Sequence, residues 1–217
     1  MKCVIVFLVY GCEHIDEFNR LSKRITNLNP NIKVLVGTDE PNKIIGLHDI
    51  IHIEEDFNYN LKRLVIKEGL KDNDVVLYLD TDTAFRDKID FTILKTLPKG
   101  IHPFELGYPN KYLSEYFNEL KQIYPNLSNS ISEHGFVIVK DDTTNMFIDT
   151  WELMDNRTKS IQYEHYGMKG AQEGLLMWIS ANISNTTIHD PNGLIHRLSK
   201  DIIHFGKPKQ KYNTTIV

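Results

Sequence analysis

Residues 75–79 read Val-Val-Leu-Tyr-Leu and run directly into Asp80-Thr81-Asp82-Thr83. A short apolar run bounded by polar residues has the length and character of a strand buried on both faces. Such a strand needs neighbours on each side and layers above and below, so it constrains the rest of the chain. If the extended backbone continues past Leu79, side chains two apart share a side, and Asp80 and Asp82 stand roughly 6–7 Å apart at the sheet rim. Two like charges in that position are poorly solvated, and a divalent cation resolves the conflict because hard cations prefer carboxylate oxygens. The other reading of the same residues is a polar turn that caps a core strand.

The flanking sequence supplies the neighbours. Val4 to Tyr10 reads as a first strand. Ile15, Phe18, Leu21, Ile25 and Leu28 then recur at helical spacing until Asn29-Pro30 stops them. Ile32 to Val36 and Ile50 to Ile53 read as further strands, and Leu61 to Leu70 as a helix carrying Lys62, Arg63 and Lys67. Strands alternating with helices predict a doubly wound, mostly parallel sheet. Ligands in such sheets bind beyond the carboxyl ends of the strands, where Asp80 and Asp82 fall.

The second half is less regular. A brief element is expected at Leu94 to Leu97, helices over Asn110 to Tyr124, Thr144 to Met154 and Met168 to Ala181, and strands at Gly135 to Val139 and Thr186 to His189. With no repeat and no linker, residues 1–217 read as one α/β domain.

Charge narrows the function. A net charge of −4 is not that of a general nucleic-acid binder, which presents a basic face. No apolar run approaches the eighteen or so residues of a membrane span. Residues 1–10 read as a first core strand rather than a signal peptide, because no small-residue cleavage site follows, and a cytoplasmic location is expected. Cys3 and Cys12 flank that strand, roughly 30 Å apart if it is extended. A disulfide needs Cα atoms within about 7 Å, so two free thiols are expected.

An apolar strand ending in Asp-x-Asp about 80 residues into such a domain resembles the GT-A glycosyltransferases, and among them the retaining enzymes of the glycogenin and lipopolysaccharide-galactosyltransferase kind. Three further segments, in the family's order, carry the resemblance. Ser132-Glu133-His134-Gly135-Phe136 resembles the Asn-Ala-Gly segment lining the sugar pocket, with Glu133 and His134 in place of Asn and Ala. Ala171-Gln172-Glu173-Gly174-Leu175 resembles the Asp-Gln-Asp-x-Leu segment at the reacting face, without its first acid. His204-Phe205-Gly206-Lys207-Pro208-Lys209 resembles a shortened form of the closing His-x-x-Gly-x-x-Lys-Pro segment. Arg63, 80 − 63 = 17 residues before the first aspartate, matches the family's basic residue on the preceding helix.

The resemblance implies a Rossmann-like GT-A domain with a mixed, mostly parallel sheet flanked by helices, compact as in bacteria and large DNA viruses of algae; if viral, its place would be the host cytoplasm. It implies Mn²⁺, or Mg²⁺, held by Asp80, Asp82 and His204. A UDP-sugar donor would be held by Val9, Tyr10, Asp39, Arg63, Thr81, His134, Gly135, Gly206 and Lys207, with Tyr10 stacking on the base. Gln172, Glu173 and Glu133 are the catalytic candidates, and the reaction would move a hexose or deoxyhexose to a glycan or glycoprotein acceptor with retention. Two other readings stay open. Asp80-Thr81-Asp82-Thr83 also fits the Asp-x-Asp-x-Thr pattern of haloacid-dehalogenase-like phosphatases, Asp80 as nucleophile and Asp82 as general acid. A non-catalytic nucleotide-sugar-binding module is the third.

Overall fold

The computed structural model describes residues 1–107, 118, 121, 122, 124, 125, 130, 131, 135–166, 173–191, 193, 195, 198 and 202–204. Its centre is a six-stranded sheet. In chain order the strands are β1 (Cys3–Val9), β2 (Lys33–Thr38), β3 (Asp49–His52), β4 (Val75–Leu79), β6 (Gly100–Pro103) and β9 (Gly135–Val139), in spatial order β3-β2-β1-β4-β9-β6. The first four are parallel, and β9 and β6 add antiparallel pairs beyond β4. This is the expected α/β, Rossmann-like sheet, mixed but mostly parallel. Described residues beyond position 85, in β6 and β9, complete the same sheet. The short strands β5 (Thr83–Phe85) and β10 (Ile202–His204) pair with each other, as do β7 (Leu106–Gly107) and β8 (Ser130–Ile131).

Alternation along the strands sorts the helices between the two faces. Val4, Val6 and Leu8 with Val76 and Tyr78 pack under α2 (Lys62–Asp72), α4 (Thr144–Tyr166) and α5 (Glu173–Ser184). Ile5, Phe7 and Val9 with Val75, Leu77 and Leu79 pack under α1 (Gly11–Leu28) and the single turn α3 (Phe91–Leu94). Each fully buried aliphatic side chain contributes roughly 1.5–3 kcal/mol, and both faces of β4 are covered, which explains its uninterrupted apolar run. The helix stripe Ile15, Phe18, Leu21 and Ile25 is buried as its spacing predicts.

Several elements depart from expectation. α4 runs past Met154 to Tyr166 because no glycine or proline interrupts it before Gly167. The helix expected from Met168 begins, within the described residues, at Glu173 and reaches Ser184. The expected Asn110–Tyr124 helix lies almost wholly outside the described residues. Thr186 to His189 forms only an isolated bridge, Ile188 to Ile101, instead of a strand. The strand there is β6, which Gly100 and Pro103 disguised. Gly100 takes φ +126, and a Cβ on it would meet the Thr187 carbonyl oxygen at 2.4 Å. Cys3 and Cys12 are both free thiols. Among the described residues no helix is long and apolar enough to cross a membrane.

Candidate functional site

The carboxyl ends of β1, β2 and β4 lie at one edge, bringing Tyr10, Asp39 and Asp80 to the same side of the sheet. The extended backbone does not carry on through the two carboxylates. β4 stops at Leu79, and Asp80 to Asp82 turn, because the Thr83 amide and hydroxyl both donate to the Asp80 carbonyl, at 3.3 and 2.8 Å. Asp80 and Asp82 are therefore not alternate positions of one continuing strand. Strand alternation still governs the first two positions: Asp80 meets groups on the α2 and α5 side, and Thr81 meets α1.

On the α2 and α5 side, Lys62 Nζ stands 2.7 Å from Glu173 Oε1 and 3.3 Å from Asp80 Oδ1. Tyr78, two residues before Asp80 on the same strand face, donates its hydroxyl to the same Oδ1 at 2.8 Å, and its ring lies 5.0 Å from the ammonium. The side chains of Lys62 and Glu173 are 4% and 5% exposed, that of Asp80 25%, so the cluster faces solvent only through Asp80. Burial alone would pull the Lys62 ammonium down, but the Asp80 and Glu173 carboxylates outweigh it and hold its pKa well above the ordinary lysine value. Burial, and next the Asp80 charge, push the Tyr78 phenol well above its ordinary value, keeping it a donor. Two carboxylates and one ammonium leave a net negative charge beside Asp82.

On the α1 side, His14 Nδ1 lies 3.1 Å from Thr81 Oγ1 and 3.2 Å from Glu17 Oε2, while Thr81 Oγ1 donates to Glu17 at 3.3 Å. One turn of α1 thereby holds the residue between the two aspartates. Neither His14 nor Glu17 was singled out by the sequence, where they look like polar positions of an amphipathic helix.

The other expected residues fall into three groups. Asp39 accepts from the Gly11 amide at 3.2 Å and fixes the start of α1, with Gly11 at φ +79. Tyr10 donates its hydroxyl to the Glu55 carbonyl, and its ring lies 5.3 Å from that of Phe57 at a tilted angle. Val9 is fully buried, leaving only its backbone for a ligand. Gly135 pairs with Leu79 in register, beside the turn. Arg63 lies away from Asp80: its guanidinium donates to the Asn60 carbonyl at 2.9 Å and stands 3.9 Å from Asp155 and from Glu152. The basic residue that meets the first aspartate is Lys62, immediately before it. Gln172, Glu133, His134, Gly206 and Lys207 lie outside the described residues. His204 is described through its backbone: β10 runs antiparallel to β5 with His204 opposite Thr83, so it is brought within one register position of Asp82.

Among the described residues no group of three ligating side chains converges on a metal position. The donor types suit a hard divalent cation all the same, with two acidic residues on one turn, a net negative neighbourhood and a histidine placed opposite that turn by register. No protein-family model matches the chain, and a search of curated proteins finds no match either.

Proposed function

We propose that the chain is a metal-dependent glycosyltransferase acting on a nucleotide-sugar, with UDP as the nucleotide. The observation that carries this reading is the meeting of Asp80, Lys62 and Glu173 at the carboxyl edge of a Rossmann-like sheet, with β10 delivering His204 to the same turn. The acidic turn at Asp80 and Asp82, Glu173 and His204 come from segments far apart in sequence, which the resemblance to GT-A enzymes gives to the metal, the reacting face and the metal again; Lys62 is a neighbour of the Arg63 that it gives to the donor.

A divalent cation bound by Asp80, Asp82 and His204 would supply Lewis acidity toward the diphosphate. The chain's own residues do the rest. Lys62 and Tyr78 hold the Asp80 carboxylate in one orientation, and Glu173 holds Lys62, so the acidic turn is set before any ligand arrives. His14 and Glu17 fix Thr81. Tyr10, with Phe57 behind it, offers an aromatic surface at the end of β1 for the base. In the transfer the bond from the anomeric carbon to the diphosphate oxygen breaks and one to the acceptor hydroxyl oxygen forms. The hydroxyl proton leaves to the departing diphosphate oxygen or to a carboxylate, for which Glu133 is the candidate from the sequence, while Gln172 would be a polar group at the reacting face. Glu173, bound to Lys62, is assigned to positioning instead. A hexose or deoxyhexose transferred with retention to a glycan acceptor is the form the reading takes.

Calorimetric titration of UDP and UDP-sugars, with Mn²⁺ and then with EDTA, tests it. UDP binding that requires the metal, disappears in Asp82→Ala and weakens in His204→Ala is expected. Absence of UDP binding under both conditions overturns the proposal.

A further inference from the structure

We infer that a second cavity, at the opposite end of the sheet from Asp80, binds a small amphipathic anion. It lies where β1 begins, α1 ends and the segment around α3 crosses beneath them, and its volume is about 650 Å³. That is within the size range of small-molecule sites, roughly 300–1,000 Å³. Its wall has an apolar part, from Cys3, Ile32 and Phe91, and a basic part, from the exposed Lys88 and Lys95.

Between these parts sits Asn29, only 4% exposed. Its Oδ1 accepts from the Ile89 amide at 3.2 Å, which fixes the side-chain amide's orientation and turns Nδ2 into a donor. That nitrogen is buried and has no acceptor among the described residues. A buried donor left unmade costs folding free energy. A bound molecule that shifts the wall slightly and offers an oxygen there recovers the loss. The carboxylate in the wall, Asp90, does not supply that oxygen: it accepts from the Thr92 amide at 2.9 Å and hydroxyl at 2.5 Å, capping α3. Lys95 and Cys3 line the same cavity, so the positive part and the apolar part face one space.

An orphan donor and two cations in the wall of one cavity select a carboxylate or sulfonate head, and the apolar wall selects a hydrocarbon or aromatic body. Inorganic phosphate would meet the lysines and leave the apolar wall uncovered. This site is independent of the glycosyltransferase reading.

The probe for the test is 8-anilinonaphthalene-1-sulfonate, titrated by fluorescence into the full chain. Saturable binding is expected, weakened about tenfold, or 1.4 kcal/mol, in the Lys88→Glu, Lys95→Glu double variant. Leu47→Ser, at the exposed apolar loop elsewhere on the surface, should leave it unchanged. Bound probe should also slow iodoacetamide alkylation of Cys3, read by peptide mass spectrometry, without slowing that of the exposed Cys12. No binding, binding indifferent to the charge reversal, or a Cys3 that alkylates at the same rate under saturating probe would each overturn the inference.

Discussion

Lys62 and Glu173, 111 residues apart in sequence, meet at 2.7 Å in a place almost closed to water. One begins α2 and the other begins α5, so the ion pair joins two helices over the sheet face that ends in Asp80. Taking two charges out of water is costly, and the cost is offset because the one ammonium serves both Glu173 and Asp80, so that loss of Lys62 leaves the buried Glu173 without its cation.

Replacing Lys62 with methionine should therefore destabilise the protein strongly, by about 3–5 kcal/mol, the usual effect of removing one partner of a buried pair. Adding Glu173→Gln to Lys62→Met removes the buried carboxylate that loses its cation and should return part of that loss. Urea unfolding of the two single variants and the double variant measures the coupling. Additive effects would mean that the two side chains do not interact.

The same cluster sets an alkaline limit. The Lys62 and Tyr78 pKa values are raised above their unfolded values, which are about 10.4 and 10. A raised pKa means the folded state holds its proton longer. The stabilisation is thus complete below the unfolded pKa and lost as pH rises through the folded one. Stability should fall above about pH 10, and Tyr78 should form phenolate only as the chain unfolds. A late step in the 295 nm absorbance titration that is absent in Tyr78→Phe is the expected result, and an early, reversible step from Tyr78 would contradict it.

An acid limit is expected from the other end of the sheet. The rings of His102 and His189 stack at 4.3 Å between centroids, 3° from parallel, with their Nε2 atoms on the carbonyls of Pro98 and Lys99. Burial first, and then the proximity of His189, lower the His102 pKa, against the Pro98 carbonyl that raises it. A depressed histidine contributes stability above its unfolded pKa, about 6.5, and loses it as pH falls through the folded value. Unfolding midpoints should drop below about pH 6.5, and His102→Phe should flatten that slope. An unaltered slope in the variant would place the acid sensitivity elsewhere.

How far the sequence foretold the site follows from what each signal measures. The β4 run and the acidic residues after it were legible because a strand covered on both faces is apolar at every position. That Lys62, next to Arg63, is the residue meeting Asp80 could have been read from helical period. Lys62, Val65, Ile66, Gly69 and Leu70 lie on the inner stripe of α2, and a lysine at the head of such a stripe requires a buried counter-charge. Arg63 is also buried, but toward α4 and Asp155. The turn at Asp80 to Thr83 depends on a threonine hydroxyl reaching back to a carbonyl, which period-two reasoning does not register. The pairing of Lys62 with Glu173 is tertiary, so only the fold could reveal it.

Gly135 gives the last prediction, since the resemblance gives it to the sugar pocket while its surroundings in the fold are tightly packed. A Cβ there would stand 2.6 Å from Phe104 Cε2, 2.7 Å from Cδ2 and 3.3 Å from Leu79 Cδ2. Phe104 is itself tied to this residue, its amide donating to the Gly135 carbonyl at 3.2 Å, and it is 8% exposed, so its ring has little freedom to retreat. Gly135→Ala should cost about 1–3 kcal/mol, the range for inserting a methyl into a filled core. Phe104→Leu in the same chain removes the ring atoms that meet the methyl, so the double variant should be more stable than the sum of the two single changes predicts. Stability alone does not separate packing from ligand contact, and UDP titration of the double variant does. Recovered stability with recovered UDP affinity assigns Gly135 to packing, whereas recovered stability with UDP affinity still lost assigns it to the donor. A Gly135→Ala variant as stable as the parent would mean that the Phe104 ring does not lie against this strand as described.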